Sequence, residues 1–160
     1  MSKLTYRVMG LALFAAMTSQ ANAANLLNTI FGPLQSFAAP GHLIIFPSGS
    51  ITQAFFTAQK ETVMLSFSAV CSTTGTGAQA TKMKINVSGT TGSGVIYPTN
   101  QNSYVLCTAI GRDGGVDGRG TYTLVTGFEV NSGIHNLTVD VTPTNGGTSL
   151  ISNLNIQVWE

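Results

Sequence analysis

The sequence predicts an all-β protein, an antiparallel β-sandwich of jelly-roll type with eight to nine strands. Apolar and polar residues alternate with a period of two in stretch after stretch, as in half-buried strands. Turns rich in Gly, Ser, Thr and Asn separate these stretches, and no amphipathic helix pattern follows residue 41. Short strands with regular turn signals are typical of sandwiches and jelly rolls.

Residues 1–23 have the organisation of a cleaved secretory signal peptide. Lys3 and Arg7 precede an apolar run at residues 8–17, and Ala21 and Ala23 supply small residues for cleavage. The run is too short to span a bilayer, which takes about 20 apolar residues. We therefore expect a protein without a membrane span that is secreted, extracellular or at the cell surface, with the periplasm as an alternative.

The remaining chain, residues 24–160, has the length of one domain and little charge. Without Lys3 and Arg7, five basic residues remain against six acidic ones, a formal charge of −1. Nucleic-acid binding needs clustered basic residues, which the sequence lacks, so nucleic acid is not an expected partner.

Residues 24–41 are predicted to be an N-terminal extension to a sandwich that covers residues 42–160. The segment is apolar but contains Gly32, Pro33, Pro40 and Gly41. A short helix, a strand that docks on the body and a strand donated to a neighbouring subunit all fit this composition.

Eight or nine strands are expected in residues 42–160. Three short ones lie at residues 42–46, 51–58 and 95–97. The other six place alternate residues toward the core. These inward rows are Val63, Leu65, Phe67, Ala69 and Cys71; Met83, Ile85 and Val87; Val105, Cys107 and Ala109; Tyr122, Leu124, Thr126, Phe128 and Val130; Leu137, Val139 and Val141; and Leu154, Ile156 and Val158.

Cys71 and Cys107 are the two cysteines of the chain. In an oxidising compartment such a pair is expected to form one disulfide. Closing a loop of this length contributes roughly 3–4 kcal/mol by the chain-entropy relation. A redox-active pair usually has much closer spacing, so we interpret the bond as structural.

The second half of the chain resembles bacterial secreted relatives of the tumour-necrosis-factor/complement-subcomponent jelly-roll superfamily. The resemblance lies in LSFSAVCS at 65–72, IYPTNQNSYVLCTA at 96–109, VNSGIHNLTVDV at 130–141 and GGTSLISNLNIQVW at 146–159. It implies a jelly roll, frequently trimeric, that binds a partner and does not catalyse a reaction.

The chain also resembles pilin subunits that polymerise by strand donation. Such pilins often have a glycine fourteenth from the end and a penultimate aromatic residue, the places of Gly147 and Trp159. Trp159, however, is out of phase with the inward row Leu154, Ile156 and Val158. The resemblance implies a filament, with residues 24–46 paired to a neighbour's sheet edge.

Binding residues are sought among the aromatic and acidic side chains. Tyr97, Tyr104 and Trp159 are candidates for stacking on the sugar rings of a glycan or another cell-surface ligand, although core or edge packing is the commoner role of such residues. Asp113 and Asp117 lie in the glycine-rich stretch 111–120 and are candidate calcium ligands, although a hairpin loop explains the same residues. No other cofactor is expected.

The sequence contains no recognisable catalytic arrangement. His135 is in phase with Leu137 and is expected to be a hydrogen-bonded histidine at a strand start. No nucleophile elbow is present, and the acids are too scattered to pair as glycosidase carboxylates. We expect a secreted, non-enzymatic jelly-roll protein that self-associates and presents a binding or structural surface outside the cell. The alternatives are a filament subunit and a monomeric carbohydrate-binding module.

Overall fold

A computed structural model of the protein describes residues 24–75, 77–97, 105–111 and 116–160. These residues form eleven strands and no helix, so the all-β prediction is confirmed. The strands are β1 Asn25–Phe31, β2 Gln35–Phe37, β3 Gly41–His42, β4 Thr52–Thr57, β5 Glu61–Thr74, β6 Gly77–Val87, β7 Val95–Ile96, β8 Val105–Gly111, β9 Val116–Val130, β10 Gly133–Pro143 and β11 Thr148–Trp159.

Two antiparallel sheets pack face to face as a sandwich. The first sheet has the order β1-β11-β5-β9, with β2 also on β11. The second has the order β3-β10-β6-β7, with β4 also on β10 and β8 on β6. The main pairings are nested: β1 with β11, β4 with β10, β5 with β9 and β6 with β8. Nested pairing of this kind wraps one long hairpin into two sheets, which is the jelly-roll arrangement.

The strands predicted in residues 42–160 lie at the positions of β3–β11, and β1 and β2 come from the N-terminal segment. The strand predicted at residues 42–46 is wrong in extent, because β3 ends at His42 and residues 43–46 lie outside the strands. That segment pairs with β11 of the same chain, from Leu27 opposite Val158 to Phe31 opposite Leu154. Residues 25–37 therefore belong to the sandwich in this structure. The predicted signal peptide, residues 1–23, lies outside the described residues.

The core lies between the sheets and contains the inward rows predicted for β5, β6, β10 and β11. It also contains residues that these rows did not include, namely Leu27, Leu43, Ile45, Phe55 and Ile151. Complete burial is found for Val63, Leu65, Phe67, Val139 and Ile156. The other residues predicted to point inward from β5, β6, β10 and β11 are also buried. Tyr122, Leu124 and Phe128 of β9 are only partly buried but pack against this cluster. The period-two alternation therefore predicted the orientation of most strands.

The inward row predicted for β8 is wrong at its first residue. Leu106 is buried beside Cys107, whereas Val105 is only partly buried. Adjacent residues Thr81 and Lys82 of β6 pair with Cys107 and Val105, so Leu106 is an extra residue in β8. Such a bulge shifts the side-chain phase of a strand, which alternation alone does not reveal.

His135 is buried at the start of β10, as predicted. Its Nδ1 lies 2.8 Å from the carbonyl oxygen of Ser88, and its Nε2 lies 2.9 Å from Oγ1 of Thr57. Because a carbonyl only accepts, Nδ1 carries a proton and donates to Ser88. The ring also contacts Phe55, with 5.0 Å between centroids. These contacts make His135 a structural connector between β4, β10 and the turn after β6.

Candidate binding surfaces

The predicted disulfide between Cys71 and Cys107 is present, with 6.1 Å between the two Cα atoms. Cys71 lies on β5 in the first sheet, and Cys107 lies on β8 in the second. Both residues are buried. The bond therefore joins the two layers of the sandwich covalently, which fits a compartment other than the cytoplasm.

The aromatic candidates do not form one site. Trp159 is partly exposed on the outer face of the first sheet, because its neighbour Val158 points into the core. Tyr97 follows β7 in the second sheet, on the opposite side of the sandwich. Tyr104 lies outside the described residues. Its contribution to ligand binding stays a prediction.

The proposed calcium ligands are also largely outside the described part of the chain. Asp113 is not described, and Asp117 is described only as a backbone position of β9 opposite Thr73. Among the described residues, no three His, Cys, Asp or Glu side chains come together as a metal site. Calcium binding by Asp113 and Asp117 stays a prediction.

The outer face of the first sheet carries a surface that we call the uncharged face. Cross-strand partners project from the same side of a sheet, so the registers of β1, β11, β5 and β9 define its rows. The rows are Ile30, Asn155, Ser68 and Thr123; Asn28, Gln157, Ser66 and Val125; and Trp159, Met64 and Gly127. None of these residues carries a charge.

Small side chains occupy the middle of the uncharged face and apolar ones its flanks. Ser66 and Ser68 lie on the central strand β5, whereas Ile30 and Val125 are 69% and 56% exposed on the outer strands β1 and β9. Charge begins only at the margin, where Lys60 Nζ lies 3.2 Å from Glu129 Oε2. The face therefore has a low profile at its centre, and association through it would remove no charged group from water; its hydroxyl and amide side chains would need hydrogen-bond partners across the contact.

The outer face of the second sheet has the opposite character and carries what we call the charged cluster. It comprises His42 on β3, Asp140 on β10, Lys82, Lys84 and Asn86 on β6, and the adjacent Tyr97. Asp140 is in register with His42 on one side and with Lys84 on the other. Two of the three lysines after residue 23 are therefore close together in a chain that has little charge.

Asp140 is the centre of the charged cluster. Its Oδ1 lies 2.6 Å from Nδ1 of His42, and its Oδ2 accepts from Nδ2 of Asn86 at 3.0 Å and from Nζ of Lys84 at 3.3 Å. Partial burial alone raises the pKa of this carboxyl group and is the largest single influence. The hydrogen bonds from Asn86, His42 and Lys84 together outweigh it, so the pKa lies below its ordinary value.

Two shallow depressions lie side by side at the charged cluster. One, of about 210 Å³, lies against Lys82, Lys84 and Tyr97, and the other, of about 290 Å³, against Pro40 and His42. Lys84, Asp140 and Thr142 line both depressions. The two therefore form one elongated surface with cationic, anionic, hydroxyl and aromatic groups.

The sequence indicated the components of the charged cluster but not their meeting. Lys82, Lys84 and Asn86 are predicted to point outward from one strand. Their proximity to Asp140 depends on the register of β6 with β10, and the contact of Asp140 with His42 spans 98 residues of sequence. Finding the cluster from the sequence would have required the pairing of three predicted strands, β3, β6 and β10.

No protein-family model matches the chain, and no curated protein is found to be similar to it. Within the described residues, no helix has the length and hydrophobicity needed to cross a membrane. Arguments about function therefore depend on the two surfaces and on the fold.

Proposed function

We propose that this protein is an exported, non-enzymatic jelly-roll protein whose copies associate through the uncharged face and present the opposite sheet to the surroundings. The signal-like residues 1–23 and the Cys71–Cys107 disulfide support export. The resemblance to secreted jelly-roll proteins favours a trimer, a closed oligomer that does not grow into a filament.

The uncharged face carries this proposal. A protein interface is depleted in charge at its centre, where aromatic residues and methionine are enriched. Trp159 and Met64 lie in one row of the face, and the low serines of β5 let a second copy approach closely. On the charged cluster, association of the same kind would have to desolvate Lys82, Lys84 and Asp140, and removing charged groups from water is costly even where they are paired.

A single added charge on the uncharged face tests the proposal. Val125→Lys places an ammonium group where the interface would close, so the protein should become monomeric in light scattering on a sizing column. Ile134→Lys is the matched control, because Ile134 is 71% exposed on the other sheet and should tolerate the same change without loss of assembly. A monomeric wild-type protein, or equal masses for both variants, would contradict the proposal.

A second candidate function, a filament subunit, is favoured by the position of β1. This strand lies at the edge of the first sheet and pairs with β11, so a neighbouring copy's β1 can make the same hydrogen bonds. Between residues 25 and 31 it has no charge and no proline, the usual protections of an edge strand.

A disulfide across this pair distinguishes the two candidates. Asn28 lies directly opposite Gln157, so the variant Asn28→Cys/Gln157→Cys is positioned to form a bond between β1 and β11. In the closed-oligomer proposal the bond forms within each chain, and non-reducing gels show single chains. In a strand-donating filament the bond joins neighbours, and a covalent ladder appears that reductant removes.

A further inference from the structure

The charged cluster has a composition that is unusual for this protein. It lies on the opposite sheet from the uncharged face, so association through that face does not require it. Lys82, Lys84 and Asp140 together carry a formal charge of +1, with His42 adding to it when protonated. Lys82 and Lys84 are two residues apart on β6, so both project outward with about 7 Å between their attachment points.

Lys84 has capacity for a ligand beyond its contact with Asp140. An ammonium group has three donors, and among the described residues Lys84 uses one of them, on Asp140 Oδ2. Asp140 is an acceptor with about four lone-pair positions, of which His42, Asn86 and Lys84 engage three. The surface can therefore donate to an anion and accept from a hydroxyl group at adjacent points.

We propose that the charged cluster binds an acidic saccharide, with Lys84 and Lys82 on the sugar carboxylate and Asp140 accepting from a ring hydroxyl. Tyr97 lines the same depression and offers an aromatic wall for the apolar side of a sugar ring. Thr142, which lines both depressions, adds a hydroxyl partner.

The shape of the surface favours a short oligosaccharide. Each depression is smaller than the pockets of about 300–1,000 Å³ that enclose drug-sized ligands, yet the two are adjacent and share three residues. A chain of two or three sugar rings lies across both.

The test uses mature protein, trigalacturonic acid and its fully methyl-esterified form in isothermal titration calorimetry at low salt. The acid should bind, and the ester at least about tenfold more weakly, because charge-assisted hydrogen bonds to both lysines are lost. Lys84→Gln and Lys82→Gln should each weaken binding of the acid by about tenfold, which corresponds to about 1.4 kcal/mol. Lys60→Gln, which removes an exposed lysine paired with Glu129, should leave it within about twofold.

Amide chemical-shift mapping on the wild-type protein locates the site independently of any variant. Addition of the acid should shift resonances of β6, β10 and the residues around His42, and leave those of β9 and β11 unchanged. Absence of binding at millimolar acid, equal affinity for acid and ester, equal effects of Lys84→Gln and Lys60→Gln, or shifts confined to the first sheet would each overturn the proposal. None of these outcomes depends on the oligomeric state, so self-association is judged separately.

Discussion

Removal of the Cys71–Cys107 bond should destabilise the protein substantially without changing its fold. The bond closes a loop spanning 36 positions and joins β5 to β8 across the sandwich. The chain-entropy relation gives about 3.8 kcal/mol for a loop of this size at 25 °C. Domains of this kind have a total free energy of unfolding of about 5–15 kcal/mol, so a quarter or more of it depends on one bond.

The same decrease in the free energy of unfolding should appear in thermal unfolding as a lower midpoint temperature. An unfolding entropy of about 2.1 cal/mol/K per residue over residues 24–160 converts 3.8 kcal/mol into a decrease of about 13 °C. We therefore expect Cys71→Ala/Cys107→Ala to unfold 10–15 °C below the oxidised wild type in calorimetry, as a rough range from the same relation.

The Cys→Ala variants lose sulfur atoms from the core as well as the bond, and reduction of the wild type separates these two effects. It breaks the bond but keeps both sulfur atoms in the core, so reduced wild type should unfold slightly above the double alanine variant. Single Cys71→Ala, which loses the bond and one sulfur atom, should unfold between reduced wild type and the double variant. A loss below about 1 kcal/mol in guanidinium unfolding would refute the view that this bond stabilises the pairing of the two layers.

Other substitutions test the buried histidine and the charged cluster. His135→Leu should lose about 1–3 kcal/mol in denaturant unfolding, because the Ser88 carbonyl loses its donor. Gly89→Ala should cost at least about 2 kcal/mol, because φ is +72° and the added Cβ would lie 2.6 Å from Nδ1 of His135; Gly92→Ala, with open space around it, should stay within about 0.5 kcal/mol. Asp140→Asn tests the lowered pKa of Asp140. A carboxyl whose folded pKa is depressed stabilises the protein fully above its ordinary value of 3.8, and this contribution is lost as the pH falls through the folded pKa. The stability gap between wild type and Asp140→Asn should therefore shrink as the pH falls below 3.8; a gap that does not shrink in acid would contradict the assigned hydrogen bonds.

The sequence predicted the two sheets of the fold well, because a strand that is buried on one side alternates apolar and polar residues. The inward rows of β5, β10 and β11 are the buried rows of the structure. Alternation failed at Leu106, where one extra residue shifts the phase of β8. A second irregularity interrupts β11 between Ser152 and Asn155, where Asn153 has φ of +51°. Bulges depend on cross-strand register, which one strand's pattern does not contain.

The surfaces were less predictable than the core. That Trp159 points outward followed from its phase, but its place beside Met64 depends on the pairing of β11 with β5. The contact of His42 with Asp140 likewise depends on the position of β3 at the edge of β10. Residues that meet across strands leave no periodic signal, so a binding surface on a sheet is hard to assemble from sequence alone.

The central claim is that copies associate through the uncharged face, and Trp159 reports on it directly. It is the only tryptophan of the chain, and it lies on that face. The decisive measurement is acrylamide quenching of tryptophan fluorescence across a dilution series in which light scattering follows the mass. The account predicts that quenching increases and emission shifts to longer wavelength as the assembly dissociates. A mass that falls on dilution while Trp159 stays equally quenched would contradict the account, because association would then use another surface.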